Sequence, residues 1–274
     1  MKSVKNNDAE YAFKIHQQDD DLPYLLMLHG FMGDHRVFDH LVDELSNFCN
    51  PVAIDLLGFG NTSKPTSSDR YHEQKQISDI CSLIGKLDAN RIFLFGYSMG
   101  GRLALKTAIE GKPPIKGLIL ESTTCGITNP SDREKRQKKD ASRAKEIEEN
   151  FEAFLSEWKN LDLFQSPIPV NKSLAQKYWQ VQSEQHPEAV SASLLGFGTG
   201  SMQPVCNKLK QFGSPTLLMA GSADEKYQQI NEYLSEHFPN ATFSSIKAGH
   251  RTHLDNPSAF ISELKHFIDI NTFL

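Results

Sequence analysis

The chain has no apolar run near the about 20 residues that a membrane-spanning helix needs. Its first residues, Met1-Lys2-Ser3-Val4-Lys5-Asn6-Asn7, lack the apolar core of a secretory leader. Cysteine is scarce and scattered. Cys49, Cys81, Cys125 and Cys206 form neither a Cys-x-x-Cys pair nor any metal-ligand spacing, so they read as reduced thiols of a cytoplasmic protein. There is no basic excess: 29 Lys and Arg face 34 Asp and Glu, a net −5 that gives no reason to expect nucleic acid or an anionic membrane as partner. The glycine-rich turn Leu57-Gly58-Phe59-Gly60-Asn61-Thr62-Ser63 lacks Gly-x-Gly-x-x-Gly and the P-loop lysine, and is no phosphate cradle. No cofactor motif, internal repeat or low-complexity tract is present.

What remains is 274 residues of ordinary globular composition, enough for one large domain with an insertion. Short apolar runs alternate with helical patterns: Tyr24–Leu28, Pro51–Leu56, Ile92–Phe95, Ile115–Leu120, Pro215–Gly221 and Ala241–Ile246 read as strands. Tyr11–His16 reads as an early edge strand. Val37–Phe48, Tyr71–Leu87, Tyr227–Phe238 and Ile261–Ile268 read as helices. The alternation predicts βαβ units and a mostly parallel, doubly wound sheet. Between residues 128 and 205 the strand runs stop and helical periodicity takes over. We expect an α/β core at 1–127 and 206–274 and a helical cap at 128–205.

The stretch Phe95-Gly96-Tyr97-Ser98-Met99-Gly100-Gly101-Arg102 organises the chemistry. Gly-x-Ser-x-Gly between a strand and a helix is the pattern of a nucleophile elbow, in which a tight reversal pushes the serine hydroxyl into solvent. Gly96 and Gly100 are required because a Cβ at either would meet the neighbouring strand or helix. Ser98 is the candidate nucleophile or base. Leu28-His29-Gly30-Phe31-Met32-Gly33 has the form of a loop that supplies an oxyanion donor, here the Phe31 N–H, with the Met99 N–H as its partner. His29 reads as a brace for that loop. The order Ser98, Asp224, His250 is that of α/β-hydrolases, with His250 taking the Ser98 proton and Asp224 orienting the imidazole. Glu121 and Glu225 are rival acids, and His253 is a rival base. Residues 133–145 carry a local excess of five positive charges, most of them on a solvated face. Arg136 and Arg143 lie seven apart and could share a face that points into a cleft, as an anionic substrate would require.

The chain closely resembles the 2-succinyl-6-hydroxy-2,4-cyclohexadiene-1-carboxylate synthases of menaquinone (vitamin K2) biosynthesis. The likeness spans nearly the whole sequence. It rests on Leu28–Phe31, Gly96–Arg102, Leu118–Ser122, Trp158 with Leu163–Ser166, Gly198-Thr199-Gly200, Gln203-Pro204, Asp224-Glu225-Lys226 and Gly249-His250 with His253. It implies the α/β-hydrolase fold and a lyase that eliminates pyruvate from 2-succinyl-5-enolpyruvyl-6-hydroxy-3-cyclohexene-1-carboxylate, the triad serving as base. It also implies a small polycarboxylate substrate and a pocket lined by Arg102, Arg136, Tyr97 and Trp158; with no cofactor motif in the chain, no metal or other cofactor is expected. The oligomeric state is left open, with a monomer favoured. Four departures bear on substrate identity. Gln182 stands where a lid arginine is usual, Cys206 replaces a tryptophan, Cys125 replaces a proline, and Leu57-Gly58-Phe59-Gly60 replaces Pro-Gly-His-Gly. The competing expectation is a serine carboxylesterase or carbon–carbon hydrolase using the same triad; a ligand-sensing receptor on this fold is a third.

Overall fold

Tyr24–Leu28, Ile92–Tyr97, Gly117–Glu121 and Thr216–Gly221 are almost wholly buried, as strands covered on both faces must be. The computed structural model describes residues 1–87, 89 and 91–272; residues 88, 90, 273 and 274 of the expected core lie outside that description. The strands in chain order are β1 (Lys2–Asn6), β2 (Ala9–Ile15), β3 (Tyr24–Leu28), β4 (Asn50–Ile54), β5 (Ile92–Tyr97), β6 (Gly117–Glu121), β7 (Thr216–Gly221) and β8 (Ala241–Ile246). They form a sheet of order β1-β2-β4-β3-β5-β6-β7-β8, antiparallel where β2 meets β1 and β4 and parallel elsewhere. Thus β5, the elbow strand, lies inside the parallel part, and β6, β7 and β8 follow it side by side.

The helices are α1 (Val42–Leu45), α2 (Glu73–Lys86), α3 (Met99–Lys106), α4 (Pro130–Glu149), α5 (Phe151–Trp158), α6 (Lys172–Ser183), α7 (Pro187–Phe197), α8 (Glu225–His237), α9 (Thr252–Asp255) and α10 (Pro257–Asn271). The run α4–α7 interrupts the strand alternation between β6 and β7. Its first helix is started by Asn129, whose side chain accepts from the N–H groups of Ser131 and Asp132, with Pro130 in the first turn. None of the helices described is long and apolar enough to cross a membrane.

Three expectations need correction. The edge strand is β1, too polar in Lys2-Ser3-Val4-Lys5 to read as one, and it pairs outside β2 through a hairpin turn with Asn7 at φ 56°. Val37–Phe48 is not one α-helix. A 3₁₀ segment (His35–Leu41) leads into the single turn of α1, and Phe38 and Leu41, three apart, share a face in that tighter winding. Last, the cysteines are not all free: Cys125 and Cys206 form a disulfide, leaving Cys49 and Cys81 as thiols. The bridge joins the start and end of the helical insertion, where Val205 N–H also donates to the Cys125 carbonyl at 2.8 Å. Separation in sequence hid a pair that the insertion's two stems bring together.

Candidate active site

The elbow forms as the sequence requires. A Cβ on Gly96 would lie 2.4 Å from the Gly100 carbonyl oxygen, and one on Gly100 would lie 2.3 Å from the Leu28 carbonyl oxygen. Both glycines therefore let β5, α3 and β3 approach closely. Ser98 sits between β5 and α3 at φ 51°, a conformation that costs a non-glycine residue about 1 kcal/mol or more. Its N–H donates to the Glu121 carbonyl (2.9 Å) and its carbonyl accepts from Thr123 Oγ1 (2.9 Å), which hold the strained turn in place.

Asp224 follows β7 and His250 follows β8. The His250 Nδ1–H donates to Asp224 Oδ2 at 2.6 Å, and Ser98 Oγ donates to His250 Nε2 at 3.3 Å. Asp224 is fixed from its other side, for Oδ1 caps α8 by accepting from the Tyr227 N–H at 3.4 Å. The rivals are placed elsewhere. Glu121 and His253 pair with each other: Glu121 accepts from His253 Nδ1 (2.8 Å), His253 N–H (3.0 Å) and Thr252 Oγ1 (2.7 Å), all fully buried. Glu225 is exposed on the outer side of His250, in a separate cavity. Asp255 adds a brace, accepting the Gly249 N–H at 2.8 Å immediately before the catalytic candidate.

His29 is fully buried. Its Nδ1–H donates to the Gly30 carbonyl (2.8 Å) and its Nε2 accepts from the Leu56 N–H (3.0 Å), so it ties the oxyanion-type loop to the end of β4. Burial pulls its pKa below the ordinary histidine value. Phe59, one of the departures, packs edge-on against His29 and Phe31 at 5.4 and 6.2 Å and braces the same loop. The N–H groups of Phe31 and Met99 donate to no backbone carbonyl among the described residues. Asp34, His35 and Asp55 lie close enough to share an ion. They are instead satisfied internally, by His35 Nδ1–Asp55 at 2.7 Å and by Arg36 and Gln185 on Asp34.

Above Ser98 and His250 lies a cavity of 370 Å³. Phe31, Met99, Arg102, Arg136, Tyr97, Trp158 and Gln182, all candidates by sequence, line it. Arg102 is 8% exposed; it donates to the Phe197 carbonyl (2.8 Å), stacks 4.8 Å from the Phe197 ring, and has no acidic partner among the described residues. Burial and the neighbouring Arg136 hold its pKa down at about 10. Arg136 is anchored through Nε to Asp140 at 2.7 Å. Gln182 is buried with no side-chain partner among the described residues. Tyr97 is both core and wall, its ring 5.5 Å from that of His250. Trp158 stacks on Phe154 and meets Phe31 at 5.6 Å.

The sequence did not point to Tyr227, Tyr178, Phe164 and Lys226 as wall residues. Tyr227 packs 4.7 Å from His250 and stands three residues after Asp224, a spacing that puts it on the site side of the first turn of α8. Arg143, seven after Arg136, does reach the cavity.

A serine, a histidine and an aspartate converging at the ends of parallel strands beneath a helical insertion define a protein of the serine-triad α/β-hydrolase class. Residues 23–257 match the alpha/beta hydrolase fold family. A Bacillus subtilis protein provisionally named 2-succinyl-6-hydroxy-2,4-cyclohexadiene-1-carboxylate synthase is 31% identical over 89% of this chain and 89% of its own. The Serratia proteamaculans synthase of that name is 29% identical over 94% of this chain and 98% of its own. MenH from S. aureus superposes with a TM-score of 0.90 at 31% identity, covering 95% of this chain and 98% of its own. An esterase from Exiguobacterium antarcticum, with a TM-score of 0.79 at 18% identity, shares the fold. The chain belongs to the 2-succinyl-6-hydroxy-2,4-cyclohexadiene-1-carboxylate synthase family of α/β-hydrolase-fold proteins.

Proposed function

We propose that this protein eliminates pyruvate from 2-succinyl-5-enolpyruvyl-6-hydroxy-3-cyclohexene-1-carboxylate to leave the cyclohexadiene named in its relatives. The observation that carries the reading is Arg102, a buried guanidinium without an acid partner among the described residues, in the cavity that holds Ser98. A neutral ester offers that charge nothing, whereas a carboxylate meets its planar fork with two charge-assisted hydrogen bonds.

The positions of the double bonds dictate the electron flow. The C2–H bond beside the succinyl carbonyl breaks and C2=C3 forms. The C3=C4 pair moves to C4=C5, and the C5–O bond breaks to release the enolate of pyruvate, which then takes up a proton. His250 accepts the Ser98 proton and the Ser98 oxygen takes the proton from C2, with Asp224 holding the imidazole upright and balancing its charge. The N–H groups of Phe31 and Met99 receive the negative oxygen that develops on the succinyl carbonyl, each a contribution of about 10²–10³ in rate. Arg102 and Arg136 hold substrate carboxylates, while Tyr97, Trp158 and Gln182 shape the walls. Gln182 offers hydrogen bonds without charge.

Residues 128–205 act as the cap over this site, and a single chain supplies every group used. A tricarboxylate does not cross a membrane unaided, so we place the enzyme in the cytoplasm with the reactions that make its substrate.

The test mixes purified protein with the enolpyruvyl substrate and follows pyruvate. Release far above the uncatalysed background, absent in Ser98→Ala, is expected. No release, together with rapid turnover of a neutral nitrophenyl ester and a trapped acyl group on Ser98, would replace this reading with a serine hydrolase.

A further inference from the structure

The cavity holds more positive charge than Arg102 and Arg136 supply. Arg143, Lys139 and Lys226 also line it, against one exposed acid, Asp162. Arg143 is the most organised of these three. Its guanidinium lies 5.3 Å from the centre of the Trp158 ring, it is half-buried, and no acidic side chain pairs with it among the described residues. Arg136, two turns earlier on the same face of α4, is by contrast tied to Asp140. Burial and the charge of Arg136 disfavour the Arg143 cation more than the charges of Asp140 and Glu146 favour it, so an anionic ligand beside it would be stabilising.

Substrate geometry adds direction, on the elimination proposed above. C2, which must face Ser98, and C5, which carries the leaving group, are opposite corners of a six-membered ring. The enolpyruvyl carboxylate therefore lies on the side of the ring away from Ser98, and Arg143 and Trp158 of α4 and α5 line the cavity beyond that floor. Arg102, four residues after Ser98 on α3, belongs to the floor; Arg143 and Trp158 belong to the wall.

We propose that Arg143, held over the Trp158 ring, binds the carboxylate that departs with pyruvate. An arginine there holds the leaving group before the C5–O bond breaks and stabilises the enolate that it becomes. The ring product carries its two carboxylates away from this contact.

Steady-state kinetics of Arg143→Gln and Arg143→Lys, with inhibition by the ring product, test the assignment. In Arg143→Gln, KM for the enolpyruvyl substrate should rise about 10- to 30-fold and kcat fall severalfold, as expected for one charged hydrogen-bonding group. Arg143→Lys should recover part of both. The inhibition constant of the ring product should stay within about twofold of wild type, since that molecule has lost the carboxylate in question. A KM that does not move, or a product inhibition constant that rises in step with KM, overturns the proposal. Wild-type protein that releases no pyruvate would overturn the elimination and this assignment together. Wild-type release with an unmoved KM in Arg143→Gln would overturn this assignment alone.

Discussion

Replacing Arg102 by methionine separates a ligand-binding arginine from a structural one. The two side chains are similar in volume, and the site is 8% exposed, so the exchange removes charge with little change in packing. Burial holds the Arg102 pKa at about 10, which amounts to about 3 kcal/mol working against the charged form in the folded protein. Against this stand one hydrogen bond from the charged group to the Phe197 carbonyl and a stacking contact with the Phe197 ring, together about 2–4 kcal/mol. The two sides nearly cancel. Arg102→Met should thus change stability by no more than about 1 kcal/mol, or about 2–4 °C in Tm for a chain of this size. A buried arginine in a salt bridge would instead cost about 3–5 kcal/mol on removal.

The functional loss has a different scale. Two charge-assisted hydrogen bonds to a carboxylate contribute about 3 kcal/mol between them, so kcat/KM for pyruvate release should fall by about 10² or more. Thermal melts followed by circular dichroism and a coupled pyruvate assay measure both quantities on one preparation. A drop of about 10 °C with turnover retained would refute the argument, because Arg102 would then be holding the cap rather than the substrate.

Ser98→Ala should abolish turnover while Tm stays within about 2 °C of wild type, since among the described residues the hydroxyl's one partner is His250; Ser98→Gly should raise Tm by relieving the φ of 51°. Arg136→Ala should weaken the anionic substrate at least 10-fold and leave hydrolysis of a neutral nitrophenyl ester, where measurable, within about twofold; equal losses on both would remove its carboxylate role. Titration of unfolded, unreduced protein with a thiol reagent should find two thiols, Cys49 and Cys81. Opening the Cys125–Cys206 bridge, across 81 residues, should lower stability by about 2–4 kcal/mol, read as a fall in the urea midpoint of Cys125→Ser/Cys206→Ser. Burial lowers the pKa of His29, His16 and His40. Their contribution to stability is therefore complete above about pH 6.5, the value of an unfolded histidine, and is lost as pH falls through the lower folded values. Urea melts at pH 7.5 and 5.0 should show the decline, with a smaller slope in His29→Asn.

The parts of the fold legible in sequence are those with a local cause. The buried strands announce themselves because burial on both faces leaves no room for polar residues, and the elbow because Gly96 and Gly100 fill spaces where a Cβ cannot fit. Asp224 and His250 were distinguishable from Glu225 and His253 by their place after a strand and a glycine. What sequence could not supply is why the rivals fail. Glu121 takes up the Nδ1 and backbone N–H of His253, a relation between residues 132 apart that no spacing reveals. The same holds for Cys125 and Cys206, and for the 3₁₀ winding of His35–Leu41, whose apolar stripe serves either helix.

The basic helix α4 makes the point in chemical terms. By sequence most of its charges read as one more solvated face, with Arg136 and Arg143 set apart only by their spacing of seven. In the folded chain Lys135, Lys138 and Lys145 pair with acids on the exposed side of the same helix. Arg136 is held by Asp140, whose other oxygen accepts the Gly200 N–H at 3.2 Å. That contact explains the Gly198-Thr199-Gly200 segment, for a Cβ on Gly200 would lie 2.5 Å from the Gln137 backbone nitrogen. The glycines of the insertion thus let the Gly200 backbone come close enough to α4 to hold Asp140, which orients Arg136 one turn before it. A motif that looks remote from the chemistry serves to aim a cation into the cavity, and its effect should travel through Arg136. Gly200→Ala should therefore raise KM for the anionic substrate about as much as Arg136→Ala does, while the double variant adds little to either. Full additivity in that double-mutant cycle would mean that the glycine acts on folding alone.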